Sequence, residues 1–272
     1  MNSQSGKTIG VFDSGFGGLT VLHALLAAHN PVSRYAFLGD SARLPYGSKS
    51  RRTIARYAVE SARYLVERQN AGFLVIACNT ASALALDAIT AAVPVPVLGV
   101  ITPGAEAAKA ASRTGDVLVI ATDATVQSRA YSAALAAHGL RALEKACPLL
   151  VPLVEEGWTS HPVTREIIRI YLDELLAHAS SIGMKPDTLL LGCTHYPLIR
   201  PLIEQAVPAG IRVIDSAEAT AAAVAARFHN RQSSEPTELR FFATDSVEKF
   251  ERLGSRFLGK PTGPVTLVDL DG

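Results

Sequence analysis

Cysteine is the residue whose placement first suggests chemistry, because a thiolate can act as nucleophile, metal ligand or base and its thiol as an acid. The chain has three, Cys78, Cys147 and Cys193. Cys78 closes the apolar run in LVIACNT (74–80) and Cys193 closes the one in LLLGCTH (189–195); each is followed by two polar residues and a helix-like stretch. A thiol just ahead of a helix N-terminus meets unpaired backbone N–H groups and the positive end of the dipole. Both sulfurs are therefore expected below the ordinary thiol pKa of about 8.5. The plain alternative is a pair of small core residues, since free cysteine is among the most buried side chains. A matched pair argues for function more strongly than either thiol alone. Cys147, in EKACP (144–148), lacks that setting and reads as structural.

Counting separates the chemistries a cysteine could serve. A phosphatase loop wants Arg at the sixth position after its nucleophile, where Leu84 and Ile199 stand. Zinc would need a second ligand pair at finger spacing beside Cys193 and His195, and a lone Cys78 leaves the shell incomplete. A Cys–His nucleophile pair leaves Cys78 unexplained, and His195, two residues on from Cys193, need not reach the sulfur. The stretch DSGFGG (13–18) superficially resembles a nucleotide loop. It has Thr20 where a dinucleotide fingerprint needs its last glycine, lacks the phosphate-loop Lys, and carries Asp13, which would repel phosphate. Its glycines are read instead as letting backbone N–H groups approach a carboxylate.

Short β-branched runs alternate with helix-like stretches nearly end to end, the pattern of a parallel sheet wrapped by helices. The fold class is α/β, with strands expected at 8–12, 35–38, 73–77, 95–100, 117–121, 188–191, 211–214, 239–242 and 265–268. A helix is expected at 19–28 and an amphipathic cover helix at 50–69, where Ile54, Ala58, Ser61 and Leu65 recur at threes and fours. Gly72 is assigned the flexible turn into the next strand. Each cysteine strand is also preceded by an apolar strand ending in an acidic or hydroxyl cluster: Asp13 and Ser14 in one case, Thr122 to Thr125 in the other. This repetition predicts two similar α/β lobes with parallel sheets. The Pro-rich 93–103 lies near the crossover. Ligands of open parallel sheets gather at the strands' carboxyl ends, so a cleft between the lobes would hold both cysteines.

Bulk composition narrows the partner. With 26 Lys+Arg against 25 Asp+Glu, the net charge of +1 gives no drive toward nucleic acid or an anionic membrane. No apolar run approaches the roughly 18 residues of a membrane span, and the polar opening is unlike a signal peptide. Three cysteines without a C-x-x-C pair suit a reducing compartment, so a cytoplasmic protein with a small-molecule partner is expected.

Five blocks, GVFDSGFGGLTV (10–21), GDSARLPYG (39–47), ACNTAS (77–82), CPLLVPLVEEG (147–157) and GCTHYP (192–197), together resemble the motif set of glutamate racemases, in the same order. The resemblance covers about residues 8 to 230. It implies a two-lobed fold with the active site in the cleft, the first lobe formed by 1–99 plus 215–272 and the second by 100–214. It also implies racemisation of L-glutamate to D-glutamate without cofactor or metal, supplying bacterial peptidoglycan. Cys78 and Cys193 would be the two acid/base groups, assisted by Asp13, His195 and Glu155. Ser14, Tyr46, Gly47, Asn79, Thr80, Thr125 and Thr194, with Thr122, would contact substrate; Asp40 receives no role. Phe16, Ser41 and Leu44 depart from the usual residues, and none removes a catalytic group. A homodimer is left open. The competing readings are a racemase for aspartate or another small acidic amino acid, and a two-lobed protein that binds an amino acid without reacting.

Overall fold

A computed structural model describes residues 8–28, 32–228 and 236–270. The chain opens with β1 (Thr8–Asp13), α1 (Leu19–Ala27), β2 (Arg34–Gly39), α2 (Arg51–Glu67), β3 (Ala71–Ile76), α3 (Asn79–Leu84), α4 (Leu86–Ala92) and β4 (Val97–Gly99). It continues through α5 (Ile101–Ala111), β5 (Asp116–Ala121), α6 (Asp123–Ser128), α7 (Ala130–Ala137), β6 (Arg141–Ala146), α8 (Leu150–Glu155), α9 (Pro162–Ser181) and β7 (Thr188–Gly192). It closes with α10 (Arg200–Ala206), β8 (Arg212–Asp215), α11 (Ser216–Phe228), β9 (Glu238–Ala243), α12 (Val247–Leu258) and β10 (Val265–Leu267).

Two sheets result, ordered β10-β9-β2-β1-β3-β4 and β6-β5-β7-β8, and every pairing in them is parallel. Parallel neighbours need a crossover, which the intervening helices supply. The chain starts in the first sheet, builds the second, and returns with β9 and β10 to extend the first. This is the expected α/β architecture of two lobes. The cores of the two sheets repeat one plan: β2-β1-β3-β4 corresponds to β6-β5-β7-β8. In each, the chain steps to one side of its first strand and then crosses to the other. The resulting switch point lies between β1 and β3 in one sheet and between β5 and β7 in the other, and such a point is where open sheets bind ligands.

Every strand expected from the sequence is present with ends shifted by a few residues, and β6 is an addition. Its sequence, RALEKA, is rich in helix formers, and none of it is fully buried. Backbone pairing overrides that propensity: Leu143 lies opposite Leu118 of β5. The Arg141 guanidinium also donates two hydrogen bonds, at 2.7 and 2.8 Å, to the Asp116 carboxylate at the start of β5. A half-exposed edge strand can carry such charge, which also discourages edge-to-edge association.

Helix α2 buries the predicted stripe, Ile54, Ala58, Ser61 and Leu65 together with Ala62. Burying Ile54 and Leu65 contributes about 1.5–3 kcal/mol each. Ser50 caps the helix by accepting a 3.3 Å bond from the Thr53 N–H. The turn that follows departs from expectation. Asn70, at φ 54°, takes the left-handed conformation, and Gly72 lies inside β3. Asn tolerates that region because its short polar side chain can bond locally. One buried apolar cluster joins the lobes, running from Ile9, Val11 and Leu22 to Leu118, Leu191 and Cys193. Helix α11 packs against both α1 and α5 and so braces one lobe on the other.

Candidate active site

A cavity of about 480 Å³ lies between the lobes, and both Cys78 and Cys193 line it. Cys78 directly follows the segment that ends β3 and caps α3: its Sγ accepts from the Ala81 N–H at 3.4 Å and lies 3.3 Å from Ser14 Oγ. Behind it, Asp13 ends β1 fully buried. One carboxylate oxygen accepts from the Gly15 N–H at 2.9 Å, and the Gly18 N–H also faces the carboxylate. Burial above all, and then the neighbouring Asp13 charge, push the Cys78 thiol up to about 12, against the bonds from Ser14 and Ala81. The lowered value expected for a thiol at a helix N-terminus is therefore not found here. Removal from water and a like charge outweigh the backbone donors. Burial raises the Asp13 carboxyl as well, although the His195 charge and the N–H groups of Gly18 and Gly15 counter it.

Cys193 follows β7 and meets a different set of groups. His195 turns back on it, with Nδ1 3.9 Å from Cys193 Sγ and 3.3 Å from Thr194 Oγ1. The two-residue spacing thus does bring the imidazole to the sulfur, because the chain bends sharply into the short 3-10 turn Tyr196–Ile199. On its far side, His195 Nε2 lies 3.2 Å from Glu155 Oε1, at the end of α8. The Phe257 ring packs edge-on against the imidazole at 5.0 Å. Burial disfavours an imidazolium, but the bonds and charges of Cys193 and Glu155 prevail and raise His195 to about 10. Burial likewise opposes the Glu155 carboxylate, yet the His195 bond and charge hold it below the usual carboxylate range. The result is a half-buried Glu155–His195 ion pair beside Cys193.

Polar groups surround the two sulfurs. Ser14, Gly47, Asn79, Thr80 and Thr194, together with the ring of Tyr46, line the cavity. Thr80 Oγ1 is 3.0 Å from Thr122 Oγ1 and 3.3 Å from Thr125 Oγ1, which are 2.9 Å from each other, so a triangle of hydroxyls spans the lobes. Thr122 faces the cavity and Thr125 sits behind it, fully buried, where it can orient the other two but lies outside the lining. Asn79 is buried, its Oδ1 accepting from Tyr131 at 2.6 Å while its Nδ2 has no partner.

Several contributors escaped sequence reasoning. Asp40, 0% exposed, accepts from the Tyr46 hydroxyl at 2.5 Å and from Thr244 at 3.0 Å, so Tyr46 offers its ring to the cavity while its hydroxyl is committed elsewhere. The block GDSARLPYG contained that carboxylate, but nothing in its spacing revealed the partner. Leu44, Pro45, Pro148, Val151 and Pro152 add an apolar wall. Cys147 is buried, its thiol pushed up to about 12 chiefly by burial, and its carbonyl accepts from the Tyr196 hydroxyl at 3.2 Å. Among the described residues, no group of three or more His, Cys, Asp or Glu is placed to hold a metal ion. No helix among them is long and apolar enough to cross a membrane.

The glycine loop after β1 presses one lobe onto the other. A Cβ on Gly17 would fall 2.2 Å from Thr194 Oγ1 and 2.6 Å from the His195 ring, so only glycine fits. Thr20, one turn on, donates to the Thr194 carbonyl at 2.9 Å. The loop's N–H groups do approach a carboxylate, but the one found is the protein's own Asp13.

Two α/β lobes that each bring a strand-end thiol to one shared cavity have the make-up of a two-lobed enzyme of acid/base type. Comparisons with known proteins agree with that class. The signature described as Asp/Glu/Hydantoin racemase matches residues 14–224. The chain is 51% identical to a glutamate racemase of Koribacter versatilis, covering 99% of this chain and 100% of that one. It is 44% identical to a glutamate racemase of Geobacter metallireducens, covering 97% of each. Among solved structures it resembles a glutamate racemase of Bacillus anthracis, with TM-score 0.87, 34% identity, and coverage of 97% of this chain and 98% of that one. It also resembles the Francisella tularensis glutamate racemase in complex with D-glutamate, with TM-score 0.86, 33% identity and 98% of each chain covered. The chain belongs to the Asp/Glu/Hydantoin racemase family.

Proposed function

We propose that this chain interconverts L- and D-glutamate by a two-base mechanism in which Cys78 and Cys193 address opposite faces of the α-carbon. The observation that carries the reading is the placement of these two thiols at matching strand ends of the two sheets, on one cavity. One sulfur, as thiolate, takes the α-proton: the Cα–H bond breaks, an S–H bond forms, and the electron pair remains on the substrate carbon. The opposite thiol then gives its proton to that carbon from the other face, which inverts the centre and leaves a thiolate behind. The sulfurs exchange roles for the other enantiomer, and proton exchange with solvent resets them.

The neighbouring groups suit this traffic. The His195 imidazolium, itself paired with Glu155, is the counter-ion that a thiolate at Cys193 needs. Burial and the Asp13 charge keep Cys78 a thiol near neutral pH, the form that donates. Ser14, Gly47, Asn79, Thr80, Thr122 and Thr194 hold the carboxylates and the ammonium group, Thr125 steadies the hydroxyl triangle from behind, and the Tyr46 ring packs against the substrate chain. The lobes that close on the substrate are taken as 1–99 with 215–272, and 100–214. In a bacterial cytoplasm the D-glutamate formed would feed peptidoglycan.

Incubation of L-glutamate in heavy water with no added cofactor tests the reading. Loss of optical rotation with solvent deuterium at the α-carbon is the expected result, and inversion with full retention of the original hydrogen overturns it. Running L-aspartate in parallel decides the substrate: faster turnover of aspartate than of glutamate removes glutamate from the assignment.

A further inference from the structure

Tyr131 lies outside the cavity lining, has no place in the scheme above, and is 0% exposed. It belongs to the second lobe, on α7, yet its hydroxyl donates a 2.6 Å hydrogen bond to Oδ1 of Asn79 in the first lobe. Its ring is held in a slot. A Cβ on Gly192, the residue just before Cys193, would fall 2.8 Å from Tyr131 Cε2, and one on Gly104 would fall 3.4 Å from Cε1. The side chain thus passes beneath the strand end that carries Cys193 and ends on the residue that follows Cys78.

A phenol can donate one hydrogen bond and can also accept, so it could pair with either end of a carboxamide. In the pairing present, the phenolic O–H runs 2.6 Å to Oδ1 and Nδ2 is the end left over, so the Tyr131 proton is committed to the carboxamide oxygen of Asn79. Rotating the amide by half a turn would point an N–H₂ donor at an O–H donor. The amide nitrogen of Asn79 is left buried without a protein partner, in a residue that lines the cavity. A buried donor without a partner is costly, and a ligand oxygen recovers that cost.

We propose that Tyr131 is a positioning residue: it fixes the Asn79 carboxamide so that Nδ2, and not Oδ1, is offered to a substrate carboxylate. The inference rests on the glutamate reading and adds a binding determinant to it. Without Tyr131 the carboxamide is free to present its oxygen, which repels a carboxylate. The defect should therefore appear in substrate binding and not in proton transfer at the sulfurs.

Steady-state racemisation of both glutamate enantiomers by wild type, Tyr131→Phe, Asn79→Ala and the double variant tests this. Tyr131→Phe removes one oxygen and keeps the ring in its slot. It is expected to raise KM about 3- to 10-fold, the worth of one neutral hydrogen bond, with kcat within about two-fold of wild type. On the Asn79→Ala background the same substitution should change KM by less than about two-fold, because the group it positions is gone. A merely structural role would lower the melting temperature yet give the same KM ratio in both backgrounds, and that outcome overturns the proposal. An active wild type with unchanged KM in Tyr131→Phe, or a Tyr131→Phe variant whose loss lies in kcat with KM unchanged, overturns this inference alone. A wild type that turns over no glutamate overturns the function and the inference together.

Discussion

The neighbourhoods of Cys78 and Cys193 match in backbone and differ in charge. Each thiol follows a central parallel strand, at the switch point of its sheet, with a hydroxyl-bearing residue close by. Behind Cys78 stands a buried carboxylate, Asp13, whereas behind Cys193 stands an imidazolium, His195, backed by Glu155. The repeated fold thus fixes where the sulfurs are, while the side chains that differ between the repeats set a carboxylate beside one sulfur and an imidazolium beside the other.

Removing either sulfur should give the largest effect. Cys78→Ala and Cys193→Ala are each expected to lower kcat by about a thousand-fold or more, since each deletes an obligatory proton carrier. A circular-dichroism assay run from both enantiomers checks this, and a variant that retains turnover removes its cysteine from the mechanism. Next, His195→Asn, which deletes the cation beside Cys193, should cost about 10- to 100-fold in the same assay. Asp13→Asn tests the other side in the opposite sense. Deleting the charge that helps hold Cys78 protonated should speed iodoacetamide labelling of Cys78 at pH 8 by several-fold. Slower labelling would reverse the contrast drawn between the two sides.

The comparison also carries a pH signature. His195 is raised from 6.5 to about 10, so its charged form contributes stability that is complete below the unfolded value and lost as pH rises through the folded one. The melting-temperature advantage of wild type over His195→Asn should therefore shrink as pH is raised from 6.5 to about 10, and an advantage that grows over that range contradicts the ion pair. Smallest of all is the effect of the third thiol. Cys147→Ala should keep turnover within about two-fold and lose about 1 kcal/mol of stability by denaturant titration, the cost of a small buried void.

Features with local causes were legible in the sequence. The buried strands β1, β3, β5 and β7 announce themselves as apolar runs, and the stripe of α2 reads directly from its spacing. The cysteine pair could be found because its strand setting is repeated. Features that depend on distant partners were not legible. β6 resembles a helix until β5 is beside it, and Asn70 takes the turn that Gly72 seemed made for. Asp40 and Tyr131 act through single hydrogen bonds to Tyr46 and Asn79, and the latter bond joins residues of different lobes. The approach of His195 to Cys193 depends on a bend that spacing alone does not specify.

The unequal charges also meet a thermodynamic boundary. Two enantiomers have the same free energy in water, so no arrangement of Asp13, His195 and Glu155 can enrich one of them at equilibrium. Whatever the asymmetry gains in kcat for one hand of glutamate must reappear in KM, leaving kcat/KM equal in the two directions. Any net flow from the L- to the D-form in a cell then has to be drawn by the reaction that consumes the D-form.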